Sequence, residues 1–255
     1  MTGAESAYAP DFWDKLNKQW ESAQAFGQDN DVSQMWADDF SSRNYEDYIF
    51  RDNNPLKDMQ DCLETGKLKL AEGDLPSAVL LFEAAAQQQP DNPEVWFLLG
   101  TSQAKNEQDI AAISALKKSL SLDPKNIDAI LALAASLTNE SSQADACYAL
   151  KDWINSNPKY NSGAVLTNLE TLTRKVVSSF MTHELHKETL DLYLQAARIN
   201  HHHEAIDPDV QSGLGILFNL SGDYDKAVDC FKAALNAKPD DLLLWNRLGA
   251  TLANG

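Results

Sequence analysis

The side chains of this chain that could perform catalysis or bind a metal do not form a recognised constellation. The three histidines at 201–203 are adjacent, so they point in different directions and fit a solvated linker. The stretch from His183 to His186 lacks the spacing of the zinc-protease motif. Neither a phosphate-binding glycine loop nor a nucleophile elbow is present. The sequence therefore argues against an enzyme and predicts no metal and no cofactor.

The cysteines indicate the redox compartment of the protein, and its net charge indicates which classes of partner it can bind. Cys62, Cys147 and Cys230 are far apart and lie in helical patterns, which predicts buried thiols in a reducing compartment. A formal net charge of −17 and an isoelectric point near 4.5 argue against nucleic acid and anionic lipids as partners, and favour basic or extended peptides. The sequence has no apolar run of membrane-spanning length, and its N terminus lacks a secretory signal pattern. We therefore expect a soluble, cytosolic protein.

Hydrogen-bonding amides recur near predicted helix ends. Asparagine tolerates the left-handed conformation that ends a helix, so the residues alone predict that Asn219 and Asn254 are helix caps.

The elements that carry these residues follow a 34-residue period. Four kinds of position share it: Pro90, Pro124 and Pro158; Ala78, Ala112 and Ala146; Phe82, Leu116 and Leu150; Gly66, Gly100 and Ala134. In such a repeat the small residue lets two helices approach closely, the alanine and the larger residue fill the hairpin, and the proline stops the second helix. The period predicts an all-α fold, a tetratricopeptide-repeat right-handed superhelix, also called an α-solenoid.

The repeats divide the chain into segments. Residues 55–158 read as three hairpins, in which Gly73 ends a first helix in the left-handed conformation and Pro76 opens the second helix. Residues 159–207 break the period and read as a degenerate fourth repeat that acts as a bent connector. Residues 208–255 read as a fifth repeat followed by the first helix of a sixth, so we expect a truncated chain. Phe97, Leu99 and Trp245 are predicted to pack inside the hairpins.

Residues 1–54 differ in composition from the repeats. They contain eleven acidic and four basic residues, which predicts a largely disordered segment with short helices. Trp36 and Phe40 are four residues apart, a spacing that in a globular helix would indicate core packing. Because little apolar sequence surrounds them, we interpret them as a docking motif that orders on a partner.

Several strings resemble the family of receptors for the type-1 peroxisomal targeting signal, the peroxin-5 family. They include EGDLPSAVLLFEAA, LTNES, DPDVQSGLGILFNLSGDYDKAVDCF and LLWNRLGATLANG, and the resemblance covers roughly residues 54–255. In the tail, the segment around Trp13 resembles the region that precedes the repeats in that family. The pentapeptide from Trp36 to Phe40 matches the family's motif for the docking peroxin.

The resemblance implies a cytosolic receptor that binds a C-terminal tripeptide like Ser-Lys-Leu on peroxisomal matrix proteins and cycles to the docking peroxins at the peroxisomal membrane. It also implies a groove lined with asparagines, because one carboxamide both donates to and accepts from a peptide backbone. The positions that match ligand-facing residues are Thr101, Asn106, Asn139, Asn219 and Asn254. Further ligand-contacting residues of the family lie beyond LANG, so we expect this chain to bind a Ser-Lys-Leu peptide poorly or not at all.

Other tetratricopeptide functions remain open at this point. A co-chaperone that grips acidic tails needs basic residues on the inner face, where this chain has Phe97 and Thr101. An ion-channel regulatory subunit related to the receptor would share the repeats, although the pentapeptide at Trp36 favours the import receptor. A general assembly scaffold is the third alternative.

Overall fold

The computed structural model describes residues 47–160, 181–201 and 206–255. These residues form ten α-helices: α1 (Cys62–Ala71), α2 (Leu75–Gln88), α3 (Pro93–Lys105), α4 (Asp109–Leu122), α5 (Ile127–Asn139), α6 (Gln143–Ser156), α7 (His183–His201), α8 (Pro208–Leu220), α9 (Tyr224–Ala237) and α10 (Leu242–Asn254). Helices α1/α2, α3/α4, α5/α6 and α8/α9 pair as the first, second, third and fifth hairpins, numbered by the predicted repeats, and neighbouring hairpins pack on each other. This arrangement confirms the all-α tetratricopeptide-repeat prediction.

Each turn inside a hairpin contains one residue with a positive φ, in the left-handed conformation. The left-handed residue is Gly73 in the first hairpin, with φ 82°, and Gly222 in the fifth, with φ 76°. Glu107 and Ser141 occupy the same place in the second and third hairpins, with φ 57° and 59°. The prediction for Gly73 is therefore confirmed, whereas the prediction that Asn219 caps its helix in this conformation is wrong. Asn219 lies within α8, and the chain reverses three residues later at Gly222, where no Cβ opposes a positive φ.

The second helices begin and pack as the sequence predicts. Pro76 lies in the first turn of α2, and the side chain of Asp74 accepts a hydrogen bond from the backbone N–H of Ser77. A Cβ atom added at Gly66 or Gly100 would lie 2.6 Å from the side chain of the larger residue on the paired helix, Phe82 or Leu116 respectively. These glycines therefore allow the close helix approach that the period implies.

The predicted packing residues do not all lie inside the fold. Leu99 is fully buried and Phe97 is partly buried against the core. Trp245 is 54% exposed, so the prediction that it packs inside a hairpin is wrong. Its indole N–H donates to the carbonyl of Pro239 at 2.8 Å, which fixes the ring at the start of α10 while leaving its face in solvent.

Helix α7 joins the two sets of hairpins by packing on α6 and α8. Its Tyr193 is completely buried, stacks on Trp153 of α6 with ring centroids 5.7 Å apart, and donates from its hydroxyl to the carbonyl of Leu150 at 3.2 Å. The Tyr193 ring also fills the space where a Cβ of Gly213 on α8 would lie. A single aromatic side chain thus wedges between the third and fifth hairpins. The first part of the predicted connector, residues 161–180, lies outside the described residues.

Asp207 links the end of the third hairpin to the start of α8. Its Oδ2 accepts from Lys159 Nζ at 2.7 Å and from the Tyr160 hydroxyl at 2.6 Å, while its Oδ1 accepts from the backbone N–H of Asp209 at 3.0 Å. Burial opposes ionisation of Asp207, but the hydrogen bonds from Lys159 and Tyr160 outweigh it and lower the pKa of this carboxyl. The same carboxylate therefore caps α8 and fixes the helix against the third hairpin.

Residues 48–54, which composition assigns to the acidic tail, pack on the first two hairpins. We call them the strap. Tyr48 is buried, and Asn54 Nδ2 donates to the carbonyl of Leu80 at 2.7 Å. The strap packs here because its aromatic side chains supply apolar surface that its acidic neighbours lack. Trp13, Trp36 and Phe40 lie outside the described residues.

Candidate functional site

Three of the predicted ligand-facing asparagines lie in the last turn of a first helix. Asn139 ends α5, Asn219 is the penultimate residue of α8, and Asn254 ends α10. First helices of successive hairpins stack beside each other in a tetratricopeptide array, so this position places amides at corresponding ends of neighbouring helices. Asn139 and Asn254 are exposed, and Asn219 is partly buried.

The structure adds an acid to this set. Asn139 Nδ2 donates at 3.0 Å to Oδ2 of Asp109, which is the first residue of α4. The other oxygen of Asp109 is buried and has no hydrogen-bond partner within the described residues. Burying a carboxylate oxygen without a partner is unfavourable, so Asp109 is ready to accept a donor or a cation.

The structure also adds a cation, Arg247. Arg247 of α10 donates from Nη1 to Ser212 Oγ of α8 at 2.7 Å. Burial lowers the pKa of Arg247, and the carboxylates of Asp241, Asp109 and Asp209 oppose this shift. A guanidinium keeps its charge under such conditions. Asp109 thus raises the pKa of Arg247 although the two residues are 138 positions apart in the chain.

Asn219 connects α8 and α10 directly. Its Nδ2 donates to Thr251 Oγ1 at 3.1 Å, and the Thr251 hydroxyl donates to the carbonyl of Arg247 at 2.8 Å. Thr251 is fully buried, so this bond holds the amide of Asn219 in a fixed orientation. We call Asp109, Asn139, Ser212, Asn219 and Arg247 the polar cluster. Hydrogen bonds join them as separate pairs, Asn139 with Asp109 and Arg247 with Ser212, while Asn219 bonds to Thr251.

Two other predicted ligand-facing residues, Thr101 and Asn106, are not hydrogen-bonded to the polar cluster within the described residues. The Thr101 hydroxyl donates within its own helix, to the carbonyl of Phe97 at 3.0 Å. Asn106 is the C-terminal cap of α3 and is partly buried. Within the described part of the chain, no side-chain hydrogen bond joins Thr101 or Asn106 to Asn139 or Asn219.

Sequence reasoning missed Asp109, Ser212 and Arg247. Arg247 precedes Asn254 by seven residues, which is two helical turns, so the helical period could have placed both on one face of α10. Asp109 carries no such signal, because it begins the second helix of another hairpin. Only the stacking of hairpins brings it to Asn139.

The residue types of the polar cluster are suited to binding a peptide end. Carboxamides pair with backbone amides and carbonyls, a guanidinium pairs with a carboxylate, and Asp109 can take a cationic group. Among residues 47–160, 181–201 and 206–255 there is no group of three or more side chains that could hold a metal ion. Within the same ranges, every helix is too short or too polar to span a membrane.

Comparison with known proteins identifies the repeats and the relatives. Tetratricopeptide repeat models match residues 63–127 and 210–241. A PEX5-related protein of Rattus norvegicus is 45% identical over 96% of this chain and 40% of its own length. A peroxisomal targeting signal receptor of Debaryomyces hansenii is 39% identical over 94% of this chain and 41% of its own length. The chain thus spans about 40% of the length of these relatives.

Solved structures also match the chain. A thermophilic tetratricopeptide-repeat protein from Thermus thermophilus is 22% identical, with a TM-score of 0.43 over 76% of this chain and 98% of that one.

Proposed function

Because the chain belongs to the tetratricopeptide-repeat family of peroxisomal targeting signal receptors and PEX5-related proteins, we propose that it is a receptor for peptide targeting signals. Its ligand is the C-terminal Ser-Lys-Leu-type tripeptide of peroxisomal matrix proteins. The receptor picks up this cargo in the cytosol and carries it to docking peroxins at the peroxisomal membrane. The family is a non-enzymatic class, and the chain acts by binding.

The observation that carries the proposal is the polar cluster. An extended peptide end presents amides, carbonyls and a carboxylate, all of which need partners when they leave water. Asn139 and Asn219 supply carboxamides, Arg247 supplies a cation for a carboxylate, and Asp109 supplies an anion for a basic side chain. Thr101, Asn106 and Asn254 extend the proposed contact set along the first helices.

Magnitudes indicate that several contacts must act together. A neutral hydrogen bond contributes about 1 kcal/mol net, whereas micromolar affinity requires about 8 kcal/mol. Charge-assisted bonds contribute about twice as much as neutral ones. Arg247 with a terminal carboxylate is therefore the largest single contribution we expect from the polar cluster.

The proposal is tested with a fluorescent peptide ending in Ser-Lys-Leu and the same peptide amidated at its C terminus. Anisotropy is measured on the chain and on a chimera that continues it with the final repeats of a receptor relative. We expect the chimera to bind the free acid at least tenfold more tightly than the amide, and the chain alone to bind more weakly. Equal binding of acid and amide to the chimera would contradict carboxylate recognition.

Substitutions locate the binding site in the same assay. Asn139→Ala in the chimera is expected to weaken binding of the free acid about tenfold, because it removes both a donor and an acceptor. Asn236→Ala is the matched control, since Asn236 is an exposed asparagine on the second helix α9. An equal effect of the two substitutions would place the peptide elsewhere.

Docking at the membrane is proposed from Trp36, Phe40 and Trp13 alone, on their resemblance to the family's aromatic motifs. A pull-down with the docking peroxin should recover less of a Trp36→Ala chain than of the unmodified chain, and an unchanged yield would contradict the motif.

A second candidate function, which the family resemblance also implies, is an ion-channel regulatory subunit related to the receptor. Failure of the pull-down together with retained binding of C-terminal peptides would support this candidate over the import receptor.

A further inference from the structure

The strap lies in a defined seat on the first two hairpins. Tyr48 donates from its hydroxyl to Glu83 Oε1 of α2 at 2.8 Å and accepts from Gln103 Nε2 of α3 at 2.6 Å. The third bond is the one from Asn54 to the carbonyl of Leu80. The seat is thus formed by Glu83, Trp96 and Gln103 and by the backbone of Leu80.

The strap presents its side chains in the alternation of an extended peptide. Tyr48 points into the seat, Ile49 is 89% exposed, and Phe50 is again partly buried. The rings of Tyr48 and Phe50 both contact Trp96, with centroids 6.0 and 5.9 Å away, and lie 5.0 Å from each other. The strap therefore places two inward rings on Trp96 and leaves the side chain between them in solvent.

The floor of the seat is polar and only partly satisfied by the strap. Glu83 is 1% exposed, and its Oε2 has no hydrogen-bond partner within the described residues. The same holds for Oε1 of Gln103. Arg51 lies 4.0 Å from Glu83, but its side chain is 55% exposed, so their attraction is weak. Burying a carboxylate with incomplete pairing opposes strap binding.

Two of the close contacts that hold the hairpins together do not involve the strap. Gly66 meets Phe82 and Gly100 meets Leu116 within the hairpins. If the strap leaves, water can reach Glu83 and Gln103 and satisfy their unpaired atoms. Hydration of these two atoms therefore favours release of the strap.

We propose that this seat is a second peptide-binding site, separate from the polar cluster, which takes an extended Tyr-x-Phe segment, and that the chain's own strap occupies it reversibly. The tethered strap has an effective concentration in the millimolar range, so it excludes a free peptide of the same sequence until it is weakened. Release of the strap frees the seat for such a segment without unfolding the repeats.

The test uses the full chain, its Tyr48→Ala variant and a labelled synthetic peptide, DYIFRDNNPL, which corresponds to residues 47–56. In fluorescence anisotropy we expect saturable binding to the variant and at least tenfold weaker binding to the unmodified chain. A peptide with phenylalanine in place of the tyrosine should bind the variant at least tenfold more weakly, because it lacks the bond to the Glu83 carboxylate. Equal binding to both chains, no binding to a folded variant, or equal binding of both peptides would overturn the proposal.

Two further measurements keep the test decisive. An excess of a peptide ending in Ser-Lys-Leu should not displace the strap peptide, and displacement would overturn the claim of a separate site. If Tyr48→Ala does not fold, native-state hydrogen exchange on the unmodified chain decides. The amides of residues 48–53 should then exchange at least a hundredfold faster than the core amides of α2 and α3, and equal protection would overturn reversible strap binding.

Discussion

Trp153→Ala should lower the free energy of unfolding by about 3–5 kcal/mol. Trp153 is 1% exposed and stacks on Tyr193, and its ring centroid is also 5.9 Å from that of Tyr160. Removing the indole leaves a cavity at the joint between the third hairpin and α7, where Tyr193 loses its stacking partner. The loss is measured by urea denaturation followed by far-ultraviolet circular dichroism.

Trp245→Ala is the matched control. It replaces the same residue type in another helix, but about half of the Trp245 surface already faces solvent. Its single indole bond to Pro239 is exposed, so we expect a change below about 1 kcal/mol. Similar losses for the two tryptophans would contradict the assignment of Trp153 to the core and of Trp245 to the surface.

Gly215→Ala should destabilise the fifth hairpin by about 2 kcal/mol, although alanine is the better helix former. A Cβ at position 215 would lie 2.6 Å from Cε1 of the Phe231 ring, and Phe231 is 1% exposed and cannot move aside. The clash is therefore expected to exceed the gain in helix propensity, which is about 1 kcal/mol. The urea midpoint should fall.

Gly249→Ala provides the control at the equivalent position one repeat later. No heavy atom lies within 4 Å of a Cβ placed there, so only the helix propensity changes. We expect equal or higher stability, by up to about 1 kcal/mol. If Gly249→Ala proved less stable than Gly215→Ala, the assignment of the steric clash to position 215 would be wrong.

Much of the fold followed from local chemistry. The 34-residue period, the positions of Gly66 and Gly100 opposite Phe82 and Leu116, and Gly73 before Pro76 predicted the hairpins. These signals lie within one repeat, where a helix period and a turn residue act over a few positions.

Other features could not be predicted because they depend on which hairpin faces which. The left-handed residues of the second and third turns are Glu107 and Ser141, types that give no glycine signal. Trp245 has the same type as Trp96, which is 5% exposed, yet Trp245 is mostly exposed because burial depends on neighbours rather than on residue type. Composition likewise assigned residues 48–54 to the tail, although the ring contacts with Trp96 place them on the hairpins.

By itself the sequence determined the repeat type and the helix pairs, since each depends on residues close together in the chain. Only the tertiary structure decided which polar groups meet. The bonds of Asn139 with Asp109, of Arg247 with Ser212 and of Tyr48 with Glu83 each join separate helices or segments. Stacking of helices brings such pairs close together in space, and their spacing along the chain does not predict it.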